Sequence, residues 1–230
     1  MRTLRTMTEE EKQILKDQYN DMIKNYVAPL LKSAGFNKKR TNFHTVAGDV
    51  DWCISVYKDR WGIDEDYRAL DFSIRVGVTC AEYQMYARGT IREFPSADEC
   101  PLNAETGMFK EKKHINESFK FRLNHNYTKT KDLVCSTLKD YVLPTLDKIR
   151  HKEDFLEYVI TYSLPWYKRL LRTINTKILK KPDNRIFHVY DSNLYYIYMI
   201  CGKYKEAKAL KKNYTAKKAF GINFRLHGLN

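Results

Sequence analysis

The sequence predicts an α+β fold: an N-terminal helix, an antiparallel sheet of about four strands covered by helices, and an all-helical C-terminal extension. Three observations support this prediction. Apolar residues recur at helical spacing at the start and at the end of the segment 1–150. Between these two regions apolar and polar residues alternate, as they do in strands. The links between the predicted strands are short, which favours antiparallel pairing. We therefore expect an α+β domain over residues 1–150 and a basic helical extension over residues 151–230 that packs on it.

The first element is a helix that begins after Thr8. Thr8 and Glu11 form the Thr-x-x-Glu pattern of a capping box, and apolar residues then follow at helical spacing as far as Leu31. Gly35 is the predicted stop, because glycine readily adopts the left-handed conformation that ends many helices. Pro29 lies inside the pattern and is expected to kink the last turns, because it removes one hydrogen bond from the helix.

Four stretches with alternating polarity predict the sheet. Apolar side chains in each stretch point to one face of a strand, and polar or small side chains point to the other. The predicted strands are Lys39–Val46, Val50–Val56, Leu70–Cys80 and Phe119–Leu123. The stretch Ala81–Asn116 is rich in turn formers and charges, and we predict a long loop there with no more than one short element.

Helical periodicity returns over Leu133–Ile149, where Pro144 should again disturb the last turns. This helix is expected to cover the sheet. From Lys152 onward the pattern is helical throughout. Tyr195–Ile200 and Gly202–Ala207 resemble the helical hairpin of a single tetratricopeptide-type unit, and because one unit cannot form a solenoid, the pair is expected to pack on the rest of the protein.

Composition excludes several classes of protein. An apolar fraction of 43%, with 17 Tyr and 11 Phe, is typical of a globular domain. The longest apolar run, Leu194–Cys201, is far shorter than the roughly 20 residues that cross a bilayer. The N-terminus has no apolar stretch of the secretory type, and the five cysteines are odd in number and widely spaced. We expect a cytoplasmic protein with reduced thiols.

Catalytic motifs are weak. The six histidines show no i, i+4 pair and no HExxH pattern, so no metal and no cofactor are predicted. Asp71 and the run Glu111–Lys113 superficially suit a nuclease-type carboxylate and lysine arrangement, which keeps a metal-dependent enzyme as a third alternative. Cys53 and Cys80 lie in strand patterns, where small buried residues are the simpler interpretation. No catalytic residue is assigned.

Charge is the strongest functional signal. Residues 151–230 hold 16 basic and 6 acidic residues, so they contribute +10 of the net charge of +13. A local positive field attracts phosphates and acidic protein surfaces. The candidate binding residues are therefore cations, namely Lys38, Lys39, Arg40, Lys168, Arg169, Arg172, Lys205, Lys208 and Lys212.

Three segments carry a resemblance to a known family. Pro29–Lys39, Thr41–Phe43 and Leu70–Val78 resemble the bacterial family of domain of unknown function 4304, over about residues 15–160. The resemblance implies an α+β domain in a bacterial, intracellular protein. That family has no established activity, so the resemblance implies no catalytic residue.

Two classes of function remain ahead of the enzymatic one. The leading hypothesis is a non-enzymatic protein-interaction module that binds an acidic partner surface, by analogy of scaffold with immunity proteins. The alternative is nucleic-acid binding through residues 166–218, where lysines and arginines lie among tyrosines that could stack on bases. The expected partner is thus another protein, with nucleic acid as the second choice and no membrane.

Overall fold

The fold was obtained as a computed structural model, which describes residues 6–64, 67–106, 118–123, 126–154 and 191–218. It confirms the α+β class: a six-stranded antiparallel sheet has two long helices on one face, and two further helices follow near the C-terminus. None of the helices in the described ranges combines the length and the apolar character that a membrane crossing requires.

The first long helix runs from Glu9 to Ser33 in three parts: α1 (Glu9–Asp21), a π-helical segment (Met22–Val27) and α2 (Ala28–Ser33). Its predicted capping box is confirmed. The Thr8 hydroxyl accepts a hydrogen bond from the Glu11 amide at 3.2 Å, and the Glu11 carboxylate accepts one from the Thr8 amide at 3.0 Å.

The second long helix repeats this design. It consists of α4 (Tyr127–Ser136), a π-helical segment (Thr137–Val142) and α5 (Leu143–Leu146). A separate short helix, α3 (Ala81–Arg88), precedes it in the chain. In both long helices the π-helical segment ends just before a proline, Pro29 or Pro144. Because proline has no N–H for the regular ladder, the wider turn takes up the disturbance that the sequence predicts.

The sheet has the order β1-β2-β3-β4-β5, and β6 also pairs with β4. All pairings are antiparallel. The strands are β1 (Asn37–Lys39), β2 (Asn42–Ala47), β3 (Val50–Asp64), β4 (Ala69–Thr79), β5 (Leu102–Glu105) and β6 (Phe119–Arg122).

The sequence missed two of these strands. The predicted strand Lys39–Val46 is divided into β1 and β2 by a turn at Arg40, whose φ of 58° is left-handed and therefore incompatible with a continuous strand. β5 lies inside the stretch predicted as a loop. Its four residues are too few for a clear alternating pattern, and it is a strand because it pairs with β4.

The predicted loop Ala81–Asn116 also contains α3 and a 3₁₀ turn at Ala97–Glu99, so the loop prediction is wrong for the described part of that stretch. α3 begins where the Cys80 thiol accepts a hydrogen bond from the Tyr83 amide at 3.4 Å. It ends at Gly89, whose φ is 72°. Cysteine is not among the usual capping residues, so the local sequence carries no clear signal for a helix start here.

The helix-facing side of the sheet is apolar. Phe72 on β4 lies at its centre, with ring centroids 5.4 Å from Phe119, 5.2 Å from Phe121 and 5.5 Å from Tyr19 of α1. All four rings are buried and belong to the main hydrophobic core. The helices therefore cover this face, as predicted.

The β2–β3 hairpin is anchored to the chain that follows α5. The Asp49 amide donates a hydrogen bond to the Arg150 carbonyl at 3.0 Å, and the Trp52 indole N–H donates one to the Ile149 carbonyl at 2.7 Å. Gly48, with a φ of 68°, makes the turn against the Arg150 backbone. This contact joins the start of the sheet to the end of the second long helix.

Two helices, α6 (Asp191–Ile200) and α7 (Tyr204–Lys218), form the hairpin predicted near the C-terminus. α6 packs on α3: the Tyr83 hydroxyl donates a hydrogen bond to the Asn193 side chain at 2.9 Å, and the Tyr83 and Tyr196 rings meet edge to face. Leu194 and Ile197 enter the main core. The helices predicted over residues 155–190 lie outside the described residues.

Candidate functional site

The side of the sheet opposite the two long helices is polar. In the register of β3 and β4, Ser55 lies opposite Arg75 and Tyr57 lies opposite Ser73, so these side chains share one face. β5 adds Glu105 beside Arg75. Polar side chains in the middle of a sheet contribute less to stability than apolar side chains would, because they bury less apolar area. We therefore take this face as a candidate recognition surface.

Arg75 organises this face. Its guanidinium forms ion pairs with Asp98, from the 3₁₀ turn, and with Glu105 at 3.6 Å. Its guanidinium carbon also lies 5.6 Å from the centroid of the Tyr57 ring. The 3₁₀ turn is fixed across the sheet by a hydrogen bond of 3.0 Å from the Ala97 amide to the Ser55 hydroxyl.

These contacts, together with burial, raise the pKa values of Arg75, Glu105 and Tyr57. The hydrogen bond with Asp98 raises the pKa of Arg75, which therefore stays charged. Burial raises the pKa of Glu105 above its ordinary value, and the charge of Arg75 opposes this effect. Burial also raises the pKa of Tyr57. Arg75 is thus a stable cation between Asp98 and Glu105, and burial makes the charged form of Glu105 less favourable.

A cavity of about 420 Å³ opens beside Arg75. This volume falls within the usual range of small-ligand pockets, although polar groups form much of the wall here. The lining includes Tyr57, Ser73, Arg75, Asp98, Glu105 and Ser118.

The cavity lies at a gap between β5 and β6, which pair with different parts of β4. β5 pairs with Arg75–Val78 and β6 pairs with Ala69–Phe72, both on the same edge of β4 and both antiparallel to it. Ser73 and Ile74 therefore separate the two pairings. β5 ends at Glu105 and β6 begins at Phe119, and Glu105 and Ser118 both line the cavity.

The sequence did not identify this cluster. Alternation in the predicted strand Leu70–Cys80 does place Arg75 on the face away from the core, which was the available signal. Asp98 and Glu105 lie in the stretch predicted as a loop, and only the pairing of β5 with β4 brings them to Arg75.

Substitution of Arg75 tests the electrostatics of the cluster. In Arg75→Gln the counter-charge disappears while burial and the Asp98 charge remain, so the pKa of Glu105 should rise further. Carbon-13 NMR of the glutamate carboxyl groups during a pH titration measures this change. Lys139→Gln removes one positive charge from an exposed helix position and should leave the Glu105 titration unchanged. An unchanged titration in Arg75→Gln would contradict the assigned pairing.

The predicted cations of the first group lie at the sheet edge. Lys38 and Lys39 belong to β1, which pairs only with β2 among the described strands, and Arg40 makes the turn that follows. All three side chains are exposed. The Lys38 ammonium lies 5.9 Å from the centroid of the Phe43 ring.

The predicted cations of the second group lie on α7 and beyond the described residues. Lys205 and Lys208 are exposed on α7, whose opposite face buries Ala207. Lys212 belongs to α7, but its side chain is not described. Lys168, Arg169 and Arg172 lie outside the described residues. The structure therefore places five of the nine candidates on exposed surface, in one group at the β1 edge and another on α7.

Ion pairing distinguishes these cations from many others. In the described part of the chain, none of Lys38, Lys39 and Arg40 forms an ion pair with a carboxylate, and the same is true of Lys205 and Lys208. Arginines and lysines elsewhere commonly do. The cations with a carboxylate partner include Arg68, Arg75, Arg88, Arg92, Lys120, Arg150 and Lys152.

The residues weighed for enzymatic chemistry are held in ordinary contacts. Asp71 pairs with Lys120 at 2.8 Å, and Glu111–Lys113 lie outside the described residues. The described residues contain no group of three His, Cys, Asp or Glu side chains suited to a metal ion. A hydrogen bond with Cys100 and burial both raise the pKa of Cys53, which is the opposite of what a nucleophilic thiolate requires.

Comparison with known proteins identifies one relationship. The family model described as Domain of unknown function (DUF4304) matches residues 27–148, more than half of the chain. The matched range contains all six strands and the Arg75 cavity, whereas α6 and α7 lie outside it. No curated protein and no solved structure matches the sequence.

Proposed function

Since the chain belongs to the DUF4304 family, whose description assigns no activity, we propose that it is a non-enzymatic protein-binding module that holds an acidic surface of its partner. Lys38, Lys39 and Arg40 at the β1 edge form the main contact in this proposal. Lys205 and Lys208 on α7 add a second positive surface. Neutralisation of a partner in the manner of immunity proteins is the corresponding biological role, by analogy of scaffold.

The observation that carries the proposal is the state of the β1 cations. They are exposed and lack carboxylate partners in the described part of the chain, while cations elsewhere are commonly paired. Complementary charge steers association and sets the register of an interface. An acidic partner would supply carboxylates, which the described residues do not place beside these cations.

The backbone of β1 supports an extended partner segment. Among the described strands β1 pairs with β2 alone, so its outer edge offers backbone groups to which no described strand bonds. Peptides bind such edges by adding a strand. Because Lys38 and Lys39 point to opposite faces of the sheet, alternate side chains of an added strand would meet one cation on each face.

Free thiols support a cytoplasmic location in a bacterial cell, which we propose as the setting of this module. All five cysteines are free thiols. Proteins that persist in reducing compartments keep their cysteines in this state, whereas small secreted domains usually pair them.

Nucleic-acid binding is the second candidate, and one observation on α7 favours it. Tyr204 is 63% exposed and precedes the exposed Lys205 and Lys208. An exposed aromatic ring beside cations is the arrangement that stacks on a base while the cations neutralise phosphates. This surface belongs to α7, so variants can separate it from the β1 surface.

A binding experiment with the full chain distinguishes the two candidates. The probes are a labelled single-stranded oligonucleotide and a fluorescein-labelled peptide of repeated Glu-Glu-Val triplets, which presents glutamates on both faces when it is extended. Binding is measured by anisotropy at low and near-physiological salt. We expect the peptide to bind at both salt concentrations. Lys38→Glu/Lys39→Glu should weaken peptide binding by about tenfold or more, because it puts like charges in contact across the interface.

Two further double variants complete the design. Lys139→Glu/Lys148→Glu makes the same charge change at exposed positions in the second long helix and in the turn after it, and should leave peptide binding within about twofold of wild type. Oligonucleotide binding at near-physiological salt that is lost in Lys205→Glu/Lys208→Glu would instead support the second candidate. Equal loss of peptide binding in the β1 variant and in this control variant would overturn the proposed β1 interface.

A further inference from the structure

Two buried thiols lie together on the polar side of the sheet. Cys53 of β3 and Cys100, which follows the 3₁₀ turn, are 0% and 2% exposed. Together with Ala97 they form a small cluster that is separate from the main hydrophobic core. Their position is not explained by the peptide-binding surface proposed above.

A glycine makes their approach possible. Gly77 of β4 is the cross-strand partner of Cys53, and the Cys100 side chain fills the space that a side chain at Gly77 would need. A Cβ atom placed on Gly77 would lie 2.7 Å from both Cβ and Sγ of Cys100. Directly opposed cross-strand positions have Cβ atoms about 5 Å apart. The Cys100 side chain therefore occupies the place beside Cys53 that a side chain on residue 77 would take.

Cys53 and Cys100 thus belong to one buried contact cluster. The neighbouring Cys100 thiol and burial together raise the pKa of Cys53. The Cys100 thiol itself donates a hydrogen bond to the Ser96 carbonyl at 3.4 Å.

The segment that carries the 3₁₀ turn is short, and polar contacts hold it to its surroundings. The Ala97 amide donates a hydrogen bond to the Ser55 hydroxyl, Asp98 pairs with Arg75, and Glu99 pairs with Arg88 and Arg92. Local opening of peripheral segments of this size costs less than global unfolding. Opening would expose the thiols to a small oxidant, and closing would return them to contact.

We propose that Cys53 and Cys100 are a redox modification site, a dithiol that a small disulfide such as oxidised glutathione converts to an intramolecular disulfide. In the first step the Cys100 sulfur attacks the oxidant, a mixed disulfide forms and one glutathione leaves. In the second step the Cys53 sulfur attacks the mixed disulfide, and the second glutathione leaves. Opening of the segment removes the burial that raises the pKa of Cys53, so its thiolate becomes accessible in the opened state. Two protein thiols are oxidised, one glutathione disulfide is reduced to two glutathione thiols, and the two protein protons end on these products.

The bond would tie the 3₁₀ turn to β3 and so fix one wall of the Arg75 cavity, because Asp98 is part of that turn. It would close a loop from residue 53 to residue 100, and cross-links over loops of this length stabilise mainly by restricting the unfolded chain. Oxidation should therefore raise the thermal midpoint, by on the order of 5 °C.

The test treats the full chain with oxidised glutathione and maps disulfides by mass spectrometry of peptides. We expect a peptide pair joined through Cys53 and Cys100, a higher Tm in the oxidised protein, and reversal of both by dithiothreitol. Cys135→Ser, which removes a half-buried thiol on α4, should behave as wild type. Cys100→Ser and Cys100→Ala should abolish both the joined pair and the Tm increase.

Two results would overturn the proposal. One is glutathione attached to Cys135 or Cys201 with no Cys53–Cys100 bond, even in mild urea that opens local segments. The other is a Tm increase that persists in both Cys100 variants. The peptide-binding experiment above is run with the protein kept reduced by dithiothreitol, so its failure and the failure of this proposal are independent.

Discussion

Gly48→Ala should lower the free energy of unfolding by about 3–5 kcal/mol, among the largest effects expected of one methyl group in this protein. A Cβ atom at Gly48 would lie 2.1 Å from the Arg150 carbonyl oxygen, so the β2–β3 turn and the end of the second long helix cannot both stay in place. Separation would break the bonds that Asp49 and Trp52 donate to that segment. Urea unfolding followed by circular dichroism measures the change.

Gly89→Ala is the matched control for this prediction. Gly89 has a φ of 72°, close to the 68° of Gly48, but a Cβ atom there would meet no atom within 4 Å. The control therefore carries the cost of the left-handed backbone, about 1 kcal/mol, without the steric contact. Equal stabilities of the two variants would show that the hairpin does not dock on Arg150 as described.

Phe72→Ala should cost about 3–5 kcal/mol, because it removes the ring that joins the sheet to the first helix and leaves a cavity at the centre of the core. Phe72 is 1% exposed and contacts the rings of Tyr19, Phe119 and Phe121. Two of these rings come from β6, so the substitution should also weaken the attachment of that strand. Chemical denaturation of the purified variant gives the free energy.

Two variants calibrate the Phe72 result. Phe72→Leu keeps most of the apolar volume and should cost less than Phe72→Ala. Tyr86→Ala removes a ring that is 56% exposed on α3 and should change the stability by no more than about 0.5 kcal/mol. A Phe72→Ala protein as stable as Tyr86→Ala would be inconsistent with a core centred on β4.

The parts of the fold that the sequence predicted are those with strong local signals. The capping box at Thr8, the alternation along β4 and the stop at Gly35 each depend on residues close in the chain, and each is confirmed. β5 and α3 were missed for the opposite reason. Pairing with β4 makes β5 a strand, and an unusual thiol cap starts α3, so neither signal is visible in the local pattern.

The candidate sites divide in the same way. Exposure of Lys38, Lys39 and Arg40 was predictable, because charged residues beside a turn rarely find space in a core. The Arg75 cluster and the Cys53–Cys100 pair were not, since each joins residues far apart in sequence through one cross-strand register. A one-residue slip of β3 against β4 would move Cys53 away from Cys100 and onto the other face of the sheet.

The gap between β5 and β6 along β4 has a consequence for protein engineering. Glu105 lies opposite Arg75 and Phe119 lies opposite Phe72, so the end of β5 and the start of β6 are three strand positions, about 10 Å, apart. A two-residue bridge opposite Ser73 and Ile74 would span that distance and join β5 to β6 as one strand. The same two ends offer a rigid anchor for a grafted peptide or an inserted domain, whose termini would be held at a known spacing on the polar side of the sheet.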